Sequence, residues 1–404
     1  MFIYFIFILV TSTVCLVVYK RNIRILYFSV LLIYNVTLIY LIFDGSLLDG
    51  FQKLTITVLN KHDLALLGLK INTLILFSFI LDKIIVFKLQ KAFFTSHFIL
   101  YSTFILGSIS LYIYSRELGG WNVLFSTVLS YRAGVEVVYT RLAFLKTLSV
   151  LSSGLYPFLI DRYRITKRRK FFYLSIFAFL IGFGSIFIQG GRLMLLIYLV
   201  PLLYALYLAN KSIILFIIFV IPLLISPNRE IFGKGLGEKN DNQNNVITIL
   251  FSELVPPISN FNAVISESYS FTYFSHVLTV YKAVIPKRLL GIGDYEGEQV
   301  MMKRIVGFPN AVDGLSFGFL SLGYFGSVFW LFLYLKMCRL IDSRLMEINS
   351  KGFLITEVYI LAYFVIRPMY FSPIHFTLSI LPILPLLLTK LNKGRESLFS
   401  NKYT

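Results

Sequence analysis

Arg192 is the residue whose setting most invites chemistry. It stands in Gln189-Gly190-Gly191-Arg192-Leu193-Met194, a lone cation between two apolar runs with two side-chain-free residues beside it. A guanidinium toward the centre of a bilayer costs at least ~2.5–3.5 kcal/mol unless it faces a partner or a wet cavity. The glycines let a bulky anion approach the backbone. Two readings stay open: an anion-binding arginine in an outer cavity, or a snorkelling arginine that marks a helix end. Further arginines on the same expected side are Arg116, Arg132 and Arg141, then Arg229, Arg288 and Arg304, and Arg367. A guanidinium fork binds phosphate oxygens bidentately, so a converging set suits a pyrophosphate. Arg132, Arg141, Arg229, Arg288 and Arg304 are therefore the substrate-binding candidates, against the commoner case of plain solvated arginines.

General acid–base candidates are scattered through loop sequence as Glu230, Glu253, Glu267, Asp294, Glu296, Glu298 and Asp313. Asp313 stands out because it immediately precedes an apolar run, where a carboxylate in an outer cavity can serve as a base. The alternative is equally direct: Asp313-Gly314-Leu315-Ser316 also reads as an N-cap leading into a helix. His62, His97, His276 and His375 form no HxxxH or HExxH pattern, and no P-loop or GxSxG is present. Cys15 and Cys338 lie far apart in or beside apolar runs, without CxxC spacing, and read as packing residues. The expectation is chemistry with no metal and no cofactor.

What must position these groups follows from composition. In 404 residues with 57% hydrophobic and 14% charged side chains, there is too little polar surface to wrap a soluble core. A net charge of +18 could point to nucleic acid, but the basic residues fall in short clusters between apolar runs, the distribution that membrane topology demands. The first apolar stretch lacks a basic n-region and an A-x-A-like site before Lys20, and is expected to be a span.

A spanning helix needs ~20 mostly apolar residues. Runs of that kind fall at 2–19, 25–43, 64–87, 92–114, 142–160, 171–189, 193–209, 212–226, 316–335, 352–367 and 373–389. The connector Asp161–Lys170 carries six basic residues in ten positions, which fixes it in the cytoplasm. Alternation then places Lys20–Arg24, Lys88–Lys91, Asn210-Lys211, Lys336–Lys351 and the tail from Lys390 inside, and each contains Lys or Arg. The N-terminus and residues 44–63, 115–141 and 227–315 fall outside. The expected fold is thus an all-α polytopic integral membrane protein with about 11 transmembrane helices and a large external loop between helices 8 and 9. Its parts are 1–226, with helices 1–8 and external loops 44–63 and 115–141; the loop 227–315; and 316–404, with helices 9–11 and a cytoplasmic tail. The loop opens on the polar stretch Gly233–Asn245. It continues with helical apolar spacing at Ile249, Leu250, Leu254 and again at Phe271, Phe274, Val277, Leu278 and Tyr281, which suits helices lying on the membrane face.

Two stretches carry a resemblance. Ile188-Gln189-Gly190-Gly191-Arg192-Leu193 is similar to the small-residue-then-Arg motif that opens a span in the bacterial O-antigen and capsule repeat-unit polymerases, the Wzy family, and in related O-antigen ligases. Ala283-Val284-Ile285-Pro286-Lys287-Arg288 resembles the family's I-P-[KR] segment, and Gly318, Gly323 and Gly326 its later G-x-x-x-x-G-x-x-G. Related ligases carry a His shortly before that last span, whereas here the chain reads Asn310-Ala311-Val312-Asp313; this favours polymerase over ligase and leaves the base open.

The resemblance implies a GT-C-like polymerase–ligase architecture in the bacterial inner membrane, with a periplasmic N-terminus and a cytoplasmic C-terminus. It implies transfer of a glycan from undecaprenyl pyrophosphate to the sugar hydroxyl of a new lipid-linked repeat unit. Its partners would be the lipid-linked oligosaccharide, the bilayer and a chain-length regulator protein, not nucleic acid. On that reading Arg192 and the loop arginines stabilise the leaving pyrophosphate, Asp313 takes the acceptor proton, and Trp121, Tyr269, Tyr273 and Tyr295 offer sugar platforms. The competing readings are a ligase-like transferase, a lipid-linked oligosaccharide flippase and a membrane scaffold; the absence of two similar halves weighs against the flippase.

Overall fold

The structure is a computed structural model that describes residues 2–18, 34–43, 61–85, 97–124, 142–189, 192–209, 258, 260–266, 273, 313–366 and 380–389. Its helices are α1 (Phe2–Val18), α2 (Tyr34–Phe43), α3 (Lys61–Ile84), α4 (Phe98–Glu117), α5 (Ala143–Ser149), α6 (Leu155–Thr166), α7 (Arg169–Phe187), α8 (Arg192–Leu208), α9 (Gly314–Ser350), α10 (Leu354–Ile366) and α11 (Leu384–Leu388). A 3-10 segment, Val150–Gly154, joins α5 to α6. Among the described residues there is no strand element, and α3, α4, α7 and α9 are long and apolar enough to cross a bilayer. The described residues are all-α and of the membrane-embedded kind.

Burial explains why. On α4 the buried positions are Gly107, Ser110 and Ser115 beside Leu100, Leu111 and Tyr114, and on α7 Ser175, Ala178, Gly182 and Ser185 beside Ile186. The exposed positions of the same helices include Phe98, Ile105, Tyr173, Phe177 and Leu180. Small residues inside and large apolar ones outside is the arrangement of helices whose outer solvent is hydrocarbon, because small side chains let backbones approach and lipid removes any penalty on the outer face. The first turn of α7 carries Arg169 and Lys170, the wrong sign for a helix N-terminus, so their placement answers to the membrane and not to the helix dipole.

Two bodies divide the chain: residues 1–88, 235–342 and 364–379 form one, and 89–234, 343–363 and 380–404 the other. In the first body α1, α2 and α3 are tied by a buried polar cluster. The Asn72 amide donates to Asn35 Oδ1 at 2.7 Å and Asn35 returns a bond to Asn72 Oδ1 at 3.1 Å. The Tyr4 hydroxyl donates to Asn35 at 3.1 Å, and Thr11 to Asn72 at 3.2 Å. In hydrocarbon such bonds act as glue between helices that gain nothing from hydrophobic contact alone. Further along α3, Asp82 is fully buried and pairs with Lys336 at 2.9 Å and Arg339 at 2.6 Å on α9.

The expectation of one continuous span over 316–335 is corrected. α9 breaks at Leu322 and Gly323 into arms 314–321 and 324–350; Gly323 has φ 63° and ψ −149°, a region open to glycine. The arms fold back on each other. A Cβ on Gly318 would stand 2.5 Å from the Gly326 carbonyl oxygen, so the two backbones touch where no side chain fits. Ser327 donates to the Leu315 carbonyl at 2.8 Å, and the Phe317 and Trp330 rings lie 4.8 Å apart. At 1.5 Å per residue, Asp313 sits about 12 Å from the tip of this hairpin.

In the second body α4 runs antiparallel to the α5–α6 stack, with Arg162 donating to His97 Nε2 at 2.7 Å at one end and Leu118 packed near Leu145 at the other. The basic connector is shorter than the sequence suggested: α6 persists to Thr166, and only Lys167 (φ 56°) and Arg168 make the turn into α7. Tyr156, Tyr198 and Tyr359 pack in the core with their rings tilted or edge to face, and the Tyr359 hydroxyl donates to Ser153 at 2.9 Å. Asp161 on α6 caps α10 from outside that helix, accepting the N–H of Thr356 at 2.8 Å, its hydroxyl at 2.9 Å and the N–H of Ile355 at 3.3 Å.

Candidate functional site

Asp313 belongs to the first body and is fully buried. Of the two roles open to it in the sequence, the geometry displays the cap. Oδ1 accepts the Ser316 N–H at 2.8 Å and Oδ2 accepts the Ser316 hydroxyl at 3.0 Å, while the Asp313 carbonyl takes the N–H of Phe317 at 2.9 Å. Burial pushes the carboxyl up to about 7, against the Ser316 donors and the Leu315 N–H, which favour the ionised form. A carboxyl that exchanges its proton near neutrality has the acidity a general base needs. The short arm that it caps is braced by the segment 260–266, through the Phe261 and Phe319 rings 6.1 Å apart. At the hairpin tip the Ser321 carbonyl accepts the N–H of Tyr273 at 3.0 Å, and Tyr273 and Phe325 stand well exposed.

The second body carries α8, whose first residue is Arg192. Ile188 and Gln189 follow the end of α7, and the side-chain amide of Gln189 donates to the Lys146 carbonyl at 2.6 Å, pinning this end of α7 to α5. Ile188 shares a core cluster with Leu111, Tyr114 and Leu124. That cluster also fixes a corner after α4: Gly119 (φ 99°) and Gly120 (φ 109°) turn the chain, and Leu124 folds under while Trp121 and Arg116 remain exposed. An exposed aromatic face and a guanidinium thus stand at the same end of the helices as the α7–α8 junction.

Compared with protein-family models, curated proteins and solved structures, the chain matches none of them.

Arg132, Arg141, Arg229, Arg288, Arg304 and Arg367 lie outside the described residues, as do Tyr269, Tyr295 and His276. Most of the 227–315 segment does too. Among the described residues no three of His, Cys, Asp and Glu come together.

Sequence reasoning passed over three groups that the structure brings forward: Asp161, the Asp82–Lys336–Arg339 cluster, and the paired Asn35 and Asn72. Each is a polar residue inside or just past an apolar run, and that placement was the available signal, since such groups persist only when partnered. The partners lie 37 to 257 residues away, which no local pattern reveals.

Proposed function

We propose that this protein is a membrane glycosyltransferase that polymerises lipid-linked oligosaccharide repeat units, the activity implied by its resemblance to the Wzy polymerases. The reading includes about 11 spans, the loop 227–315 outside, and residence in the bacterial cytoplasmic membrane. In the reaction the acceptor sugar hydroxyl attacks the anomeric carbon of the donor glycan. The bond from that carbon to the pyrophosphate oxygen breaks, and the hydroxyl proton passes to Asp313. The leaving lipid pyrophosphate gathers negative charge, which Arg192 and the arginines of the outer loops neutralise in a low-dielectric setting. A chain-length regulator protein is the expected partner.

The observation that carries this reading is the α9 hairpin. In a membrane, a helix that breaks and doubles back is tolerated only where it is buried in protein or lines a cavity. Here it carries a buried carboxyl poised near neutrality, in a glycine pattern that resembles the family's. Over residues 97–187, the antiparallel packing of α4 with α5–α6, and of α6 with α7, supports the alternation assumed for those spans.

The test is gel analysis of surface polysaccharide in a host lacking the gene, complemented by wild type or Arg192→Ala at equal protein level. The expected result is that wild type restores a long-chain ladder and Arg192→Ala leaves a core bearing one repeat unit. Loss of all surface repeats with lipid-linked units trapped inside the cell would indicate a flippase instead. Finished polymer left on lipid would indicate a ligase.

A further inference from the structure

We propose that α3 and the long arm of α9 form a groove that binds one anionic phospholipid of the surrounding bilayer, its phosphoryl group held by Lys70. The groove has a volume of about 700 Å³ and is lined by Lys70, Thr73, Phe77 and Ile84 of α3 and by Tyr324 and Phe325 of α9. All of these belong to the first body. Phe77, Ile84 and Phe325 are more than half exposed, so the groove opens sideways toward lipid.

Lys70 is the group that selects the occupant. It is half-buried, and among the described residues it has neither an ion pair nor a hydrogen bond. The contrast is Lys336, also in an apolar helix surface, whose charge is met by Asp82 at 2.9 Å. Lys70 stands six residues, about 9 Å, inside the apolar run that begins at Leu64. Side chains in a helix tilt toward its N-terminus, so the Lys70 stem carries the ammonium back toward the near membrane face, to headgroup depth. A cation at that depth with no partner among the described residues, above an apolar trough, is complementary to a phosphate above an acyl chain. The length agrees: from Lys70 to Ile84 the trough runs about 21 Å, enough for a chain that fills one leaflet of about 15 Å.

The probe is the full-length protein in nanodiscs of phosphatidylcholine with a minor fraction of phosphatidylglycerol, extracted gently, with retained lipid counted by native mass spectrometry. Wild type is expected to keep one phosphatidylglycerol in preference to phosphatidylcholine. Lys70→Arg should keep it, Lys70→Gln should lose it, and Thr73→Trp, which leaves the charge but fills the trough, should lose it too. Equal retention of phosphatidylglycerol by wild type and Lys70→Gln would overturn the proposal. So would equal retention of the two phospholipids by wild type, or a retained lipid from the host that is a polyprenyl phosphate.

Discussion

Asp313 and Asp161 are both buried carboxyls at the head of a helix, and they differ in where the cap comes from. Asp313 caps the arm that follows it, a relation readable from Asp313-Gly314-Leu315-Ser316. Asp161 caps α10 across nearly two hundred residues, and nothing beside it in the sequence announces the partner. Burial raises Asp161 from 3.8 to about 6, outweighing the Thr356 and Ile355 donors and the Arg164 charge that favour ionisation. Between those values the folded protein holds a proton that the unfolded chain has lost. Stability from this group is therefore full below about 4 and is lost as pH rises through about 6. Thermal unfolding of Asp161→Asn is expected to lack that slope; an unchanged slope would remove Asp161 as its cause. Asp313 makes the complementary prediction for activity. As a base it must be ionised, so turnover should rise as pH climbs through about 7, and Asp313→Asn should be slow and flat over the same range. A variant with normal rate and profile would leave Asp313 only its cap.

At the scale of elements, the α9 hairpin shows both what the sequence discloses and what it hides. Gly318, Gly323 and Gly326 were visible as a spacing, and the apolar run around them has the length of one span. A continuous helix and a broken one share that composition. What separates them is the positive φ at Gly323 and the contact between the Gly318 and Gly326 backbones, both consequences of tertiary packing. Gly318→Leu is expected to abolish the hairpin, because the added Cβ meets the Gly326 carbonyl and the Ser327 Cα at 2.5 and 2.6 Å. The loss should appear as a fall in stability of about 1–3 kcal/mol or more, the scale of overpacked interiors. A variant that folds and melts like wild type would contradict the close approach. The α6–α7 turn teaches the same point more mildly. Its basic cluster was legible as a connector, but Arg162 and Arg164 lie in the last turns of α6, because helix ends are set by capping and packing and not by where hydrophobicity stops.

The membrane class of the whole molecule was the most legible property, since it rests on bulk composition and on apolar runs that no soluble core can absorb. The site was the least legible, because Arg192 and Asp313 were chosen for their settings along the chain, and settings along a chain do not report contacts. The central claim, transfer of a glycan between lipid-linked repeat units, is tested most directly by reconstituting the full-length protein in liposomes. The substrate would be an undecaprenyl-pyrophosphate-linked repeat unit bearing a fluorescent label. The account predicts a ladder of products spaced by one repeat unit, with lipid pyrophosphate released once per bond, and its loss in Arg192→Ala. Labelled lipid that crosses the bilayer while staying a single repeat unit would contradict it.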